Sequence, residues 1–84
     1  MTIHNFIKKR PYLIWSSSNY KLLSEEAIVE AVLNYGNWVD VQGMIRILGI
    51  KKTALIFKKK SKQRRNNYRP DIKNYFKLYF KKYA

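Results

Sequence analysis

The stretch NWVDVQGMIRILGIKKTALIFKKK, Asn37 to Lys60, decides the fold. Asn37 is a residue type that caps helix N-termini through its side chain. After it, Trp38, Val41, Ile45 and Leu48 recur at steps of three and four, the period of one helix face, and Gly49 supplies a stop. Ile50 to Lys60 then runs through Ala54, Leu55, Ile56 and Phe57 without a breaker, which predicts a second helix directly beyond the glycine. Gly43 inside the first of the two costs about 1 kcal/mol relative to Ala, a cost that is tolerable where another helix crosses closely.

Upstream, Ser24 followed by Glu25 and Glu26 reads as a cap with acids in the first turn, where the helix dipole favours them. Ala27, Ile28, Ala31, Val32 and Tyr35 are the expected apolar stripe of that helix, and Gly36 its left-handed stop. Before it, Met1 to Ser18 has no clean period, and Pro11 biases Arg10 toward extended geometry. This part is expected to be an irregular arm or short strand whose aromatics dock on the helices. Downstream, Ser61 to Arg69 is polar and aperiodic and reads as a loop. Pro70 and Asp71 open a last helix with Ile72, Tyr75, Phe76, Tyr79, Phe80 and Tyr83 on one face and Lys73, Lys77 and Lys81 on another.

The expectation is an all-α fold: one small four-helix domain spanning 1–84, with a helix-turn-helix-like pair and an irregular aromatic N-terminal arm. Its parts are the arm and loop (1–23), three helices (24–60), a basic loop (61–69) and the C-terminal amphipathic helix (70–83). Eighty-four residues leave no room for a second domain. With 46% hydrophobic and 15% aromatic residues the chain is basic without the composition of a disordered one. Cysteine is absent, so no disulfide holds this fold together and packing must do so. No apolar run of signal-peptide or membrane-spanning length occurs, and the expected location is the cytoplasm.

Charge is concentrated at one end. The chain carries a net +13, and thirteen of its eighteen bases but only one of its five acids lie from Lys51 onward. Lys51 to Arg69 holds nine bases and no acid, a self-repelling run that asks for a polyanion or an acidic surface. An AT-rich coding sequence, which favours Lys, Asn, Tyr and Ile, is the plain alternative source of part of this excess.

Little points to an enzyme. His4 is the only histidine and falls in a terminus expected to be mobile. Glu25, Glu26 and Glu30 sit where capping and solvation explain them, and Gly36, Gly43 and Gly49 form no phosphate-loop pattern. Neither a catalytic residue, nor a metal site, nor a cofactor is expected.

The helix pair around Gly49 matches a helix-turn-helix in outline, with Ile45, Leu48, Ile50 and Leu55 as the apolar contacts between the helices. A plain bundle that binds no DNA fits the same spacing. In the loop, Arg64, Arg65 and Arg69 alternate with Gln63, Asn66, Asn67 and Tyr68, a mixture suited to phosphates, base edges or stacked bases. The aromatic stripe of the last helix reads first as core and second as a partner groove, with an interfacial membrane helix as the third fit to its lysines.

Three further segments carry a family likeness: Ile14-Trp15, Val32-Leu33-Asn34-Tyr35-Gly36-Asn37-Trp38, and Asn74-Tyr75-Phe76-Lys77-Leu78-Tyr79-Phe80. On these the chain resembles a group of short prokaryotic helical proteins often encoded beside abortive-infection-type nucleotidyltransferase toxins. Members carry an aromatic residue and Trp in the arm, where this chain has Ile14 before Trp15, and they are less basic. The resemblance covers most of the chain and implies a helical fold and an antitoxin role. It transfers no site residue, because the matching positions look structural.

The sequence therefore leads to a small basic nucleic-acid-binding protein, a DNA-binding antitoxin or autoregulator. Lys51, Lys52, Lys58, Lys59, Lys60 and Lys62 would meet phosphates, and Arg64, Arg65 and Arg69 would add bidentate contacts. Duplex DNA is the favoured partner and RNA the open alternative; a homodimer would sharpen site selectivity, and no stable membrane insertion is expected. A second reading is a protein-interaction module that neutralises a cognate toxin, and a third an RNA-binding accessory protein.

Overall fold

The computed structural model describes residues 2–13, 23–63 and 68–84. In these the chain forms α1 (Ile3–Lys8), a 3-10 turn (Pro11–Leu13), α2 (Glu25–Tyr35), α3 (Trp38–Leu48), α4 (Ile50–Ser61) and α5 (Pro70–Tyr83). The all-α domain read from the sequence is what forms, and its four principal helices stand where expected. Among the described residues there is no strand.

The arm differs. Ile3, Phe6 and Ile7 form the buried face of α1, capped by the Thr2 hydroxyl, which accepts from the Asn5 N–H at 3.2 Å. Two turns are too short to display a period convincingly, and so short a helix holds only because it is packed. His4 has a defined partner: its Nε2 donates to the Leu23 carbonyl at 2.8 Å, tying α1 to the entrance of α2. Of the arm's aromatics, Phe6 docks on α3 and Tyr12 is exposed; Leu13 beside Tyr12 is buried, and Ile14 and Trp15 lie outside the described residues.

α2 is the central helix and packs against α1, α3 and α4. Its buried set is Ile28, Val29, Val32, Leu33 and Asn34, so the apolar face is wider than the stripe read from the sequence and is turned away from Tyr35, which is half exposed. Having neighbours on several sides explains the extra width. Gly36 ends α2 in extended backbone, φ −74° and ψ 155°, and not in the left-handed region, because the chain passes straight into the next cap. There the Asn37 side chain accepts from the Asp40 N–H at 2.8 Å, and the Asp40 carboxylate accepts from the Asn37 N–H at 3.2 Å, closing a capping box.

α3 turns Val41 and Met44 inward, with Trp38 left half exposed. The close crossing expected at Gly43 is there: Phe6 of α1 lies against it, and a Cβ at this position would meet the ring at 2.8 Å. Gly49 has φ +88°, where a side chain would be strained, and is the single residue between α3 and α4. α4 buries Thr53 and Phe57, whereas Leu55, expected between α3 and α4, is 68% exposed on the opposite flank. The Thr53 hydroxyl returns to the Gly49 carbonyl at 2.8 Å.

α5 completes the core with Phe76 and Phe80. Their rings meet Phe57 at centroid distances of 6.4 and 5.5 Å, and Tyr68 meets Phe57 at 5.0 Å, edge to face. Tyr68 is thus a core residue, 6% exposed, and not a platform for bases.

Candidate nucleic-acid interface

The basic residues of α4 divide between its two flanks. Lys52 and Lys59, seven residues apart, lean toward α2, where Lys52 reaches Glu25 at 3.1 Å and Lys59 reaches Glu26 at 3.9 Å. Solvent-exposed pairs of this kind add little stability, on the order of 0–1 kcal/mol. They do offset part of the charge on that flank. Lys51, Lys58 and Lys62 fall on the other flank with Leu55, at steps of three and four residues.

That flank faces α5 across an open groove of about 860 Å³. Ala54, Leu55, Phe57, Phe80 and Ala84 line its floor, and Lys51, Lys58 and Lys62 rim one side. Lys73, Lys77 and Lys81 rim the other, each one helical turn after the last. No Asp or Glu side chain lines the groove, and among the described residues none of the six lysines pairs with one. Six cations of one sign around one concavity repel one another and lower their energy when an anion enters.

Of the residues expected to form the interface, Lys51, Lys58 and Lys62 are brought together here. Lys52 and Lys59 turn to α2, and Lys60 does not line the groove. Arg69 sits at the N-cap of α5, its guanidinium 3.5 Å from Asp71. Arg64 and Arg65 lie outside the described residues. The three lysines of α5 were visible in the sequence as a row on one face of an amphipathic helix but were not counted with the interface; only the packing of α5 beside α4 makes them one rim of a groove.

Asn34 sets where α5 begins. Buried on α2, it accepts from the Arg69 N–H at 3.1 Å and so holds the start of α5 against the central helix. Asn34→Leu keeps the volume but offers no acceptor. It is expected to cost about 1–2 kcal/mol, read as a lower urea midpoint.

As a recognition helix α4 has an unusual surface. Its outward side chains are lysines and Leu55, with Ser61 in the last turn, and Thr53 is buried with its hydroxyl on Gly49. The planar forks of Arg, Asn and Gln are absent from α4, so what its lysines offer is chiefly phosphate contact, with guanine as the base edge they can also meet. Among the described residues no group of three His, Asp or Glu side chains could hold a metal ion, and no helix is long and apolar enough to cross a membrane.

Fold and groove together define a small all-α domain with a lysine-lined face. No protein-family model, curated protein or solved structure matches the chain.

Proposed function

We propose that this protein binds nucleic acid through the groove between α4 and α5, contacting the phosphate backbone more than the bases. The observation that carries the reading is the double rim of Lys51, Lys58 and Lys62 against Lys73, Lys77 and Lys81, without a neighbouring acid. Regulation as an autoregulator or antitoxin is the wider role in which such binding would serve, supported by the family resemblance. Sequence preference within that role would fall to Arg64 and Arg65.

Titration of labelled duplex and single-stranded DNA, followed by fluorescence anisotropy, tests the proposal. With six lysines engaged, duplex affinity is expected to fall roughly a thousandfold between 50 and 200 mM salt. Replacing Lys58, Lys77 and Lys81 by Gln should weaken binding across all sequences and reduce the slope of log affinity against log salt by about three. A flat salt response, or a triple variant that binds like the parent, overturns the proposal. In parallel, Arg64→Ala with Arg65→Ala should abolish any promoter preference while leaving the salt slope of the six lysines.

A second reading is favoured by the exposed Leu55 within the groove. An acidic amphipathic helix from a protein partner, such as a toxin, could place apolar side chains on Leu55 and carboxylates on the rims. It predicts a complex that survives nuclease treatment and moderate salt.

A further inference from the structure

Phosphate contact alone leaves two large apolar side chains in water. Leu55 of α4 lies two residues from both Thr53 and Phe57, and Leu78 of α5 lies two residues from both Phe76 and Phe80. Two residues are about 200° of helix, so each leucine points away from the buried face of its own helix. They are 68% and 59% exposed. Each also has a collar of lysines: Lys51 and Lys58 stand one turn to either side of Leu55, and Lys77, Lys81 and Lys82 surround Leu78. Tyr75, one turn before Leu78, is half exposed as well. Lys51, Lys58, Lys77 and Lys81 are rim residues of the groove, so the two leucines and the groove between them belong to one side of the molecule. The single acid of α5, Asp71, lies two turns before Leu78 and 3.5 Å from Arg69.

An apolar tip ringed by cations matches a surface in which hydrocarbon lies directly beneath anionic headgroups. We infer that this side of the molecule docks on a phospholipid surface that carries negative charge, with Leu55 and Leu78 entering the headgroup layer and the lysines at the level of the phosphates. Lysine stems run along apolar surface while their ammonium groups stay in the polar layer, and tyrosine rings settle at a similar depth. The buried aromatics of α5 take no part. Phe76 and Phe80 are turned to Phe57, so the helix rests on its outward side and not on its aromatic stripe. Among the described residues no helix is long and apolar enough to cross a membrane. Docking is therefore superficial, and salt releases it by screening the headgroup charge.

The inference stands apart from the nucleic-acid reading. A nucleic-acid backbone offers the lysines the same charge but gives the leucines no apolar layer to enter. A second copy of this chain offers no matching charge, since it has five acids against eighteen bases and buries Asp40 on Arg10.

The test is sedimentation of the full chain with vesicles of phosphatidylcholine alone, or of phosphatidylcholine mixed with phosphatidylserine, at low and physiological salt. The parent is expected to pellet with the mixed vesicles only and to be released as salt rises. Leu55→Gln with Leu78→Gln, both at exposed positions, keeps every charge and should weaken vesicle binding about tenfold, with oligonucleotide affinity and the thermal melt unchanged. Lys82→Gln removes a cation that does not line the groove. It should weaken vesicle binding about fivefold with little effect on oligonucleotides. A parent chain that stays in the supernatant, a Gln pair that pellets like the parent, or equal losses of the Gln pair on vesicles and oligonucleotide overturns the lipid face. The groove proposal stands or falls separately, on its own titration.

Discussion

Asp40→Ala is expected to lower the stability by about 3–5 kcal/mol, the usual cost of leaving the partner of a buried ion pair uncompensated. An 84-residue chain at about 0.05–0.15 kcal/mol per residue has only about 4–13 kcal/mol in total, so the variant stands close to unfolding. Asp40 is 3% exposed and is the point where the N-terminal elements meet α3. Its Oδ1 accepts from Arg10 Nε at 2.8 Å, and its Oδ2 accepts from the Tyr12 hydroxyl at 2.7 Å as well as from the Asn37 N–H. Arg10 in turn donates to the Phe6 carbonyl at 3.1 Å and lies 3.8 Å over the Phe6 ring. One carboxylate therefore holds α1, the 3-10 turn and the cap of α3.

Burial pushes the Asp40 carboxyl up, but the Arg10 guanidinium, the Tyr12 hydroxyl and the Asn37 N–H together bring it below its ordinary value. The native state thus binds this proton less readily than the unfolded chain does. Its stabilisation is fully present above the ordinary carboxyl range near 3.8 and is lost as pH falls below it. Denaturant unfolding of the parent and Asp40→Asn at pH 7 and pH 3 checks the sign: the gap between them should narrow at the lower pH. At the alkaline end, the hydrogen bond to Asp40 followed by burial raises the Tyr12 phenol, so that bond persists up to about pH 10 and is lost as pH rises further.

Phe57→Ala carries the second large effect, about 3–5 kcal/mol for removing a buried aromatic ring. Phe57 is the one side chain that touches Tyr68, Phe76 and Phe80 together. It also forms part of the groove floor, so its loss loosens the spacing between the two lysine rims without removing a charge. Chemical denaturation should report the stability loss. Anisotropy below the transition should report weaker nucleic-acid binding with a shallower salt dependence, since fewer lysines reach one backbone at once. Phe57→Leu, closer in volume, should give a smaller version of both effects.

The parts of this fold with a long period or a cap were legible in the sequence. Ser24 and Asn37 mark helix starts through side-chain oxygens that act locally, Pro70 marks another through its fixed backbone, and Gly49 marks an end through its positive φ. What escaped depends on partners distant in sequence. Six residues of α1 are helical because Phe6 lies against Gly43, and His4 is held because Leu23 returns to it. Tyr68 looks like a polar-loop aromatic until Phe57 is seen beneath it. The groove was half legible: the run from Lys51 announced a basic site, but a run of lysines does not say which flank each occupies. Lys52 and Lys59 differ from Lys51 and Lys58 by one residue, about 100° of helix, and that is enough to send them to Glu25 and Glu26.

Those two acidic residues also bear on how fast a partner arrives. By neutralising one flank of α4 they leave the molecule electrically lopsided, with its field concentrated over the α4 and α5 lysines and quenched toward α2. A polyanion drifting nearby is turned toward the groove before it touches, so encounters are pre-aligned and association approaches the steered regime, slowing steeply as salt is added. Glu25→Gln with Glu26→Gln would raise the total positive charge yet spread it over both flanks, trading a directed approach for a merely stronger pull.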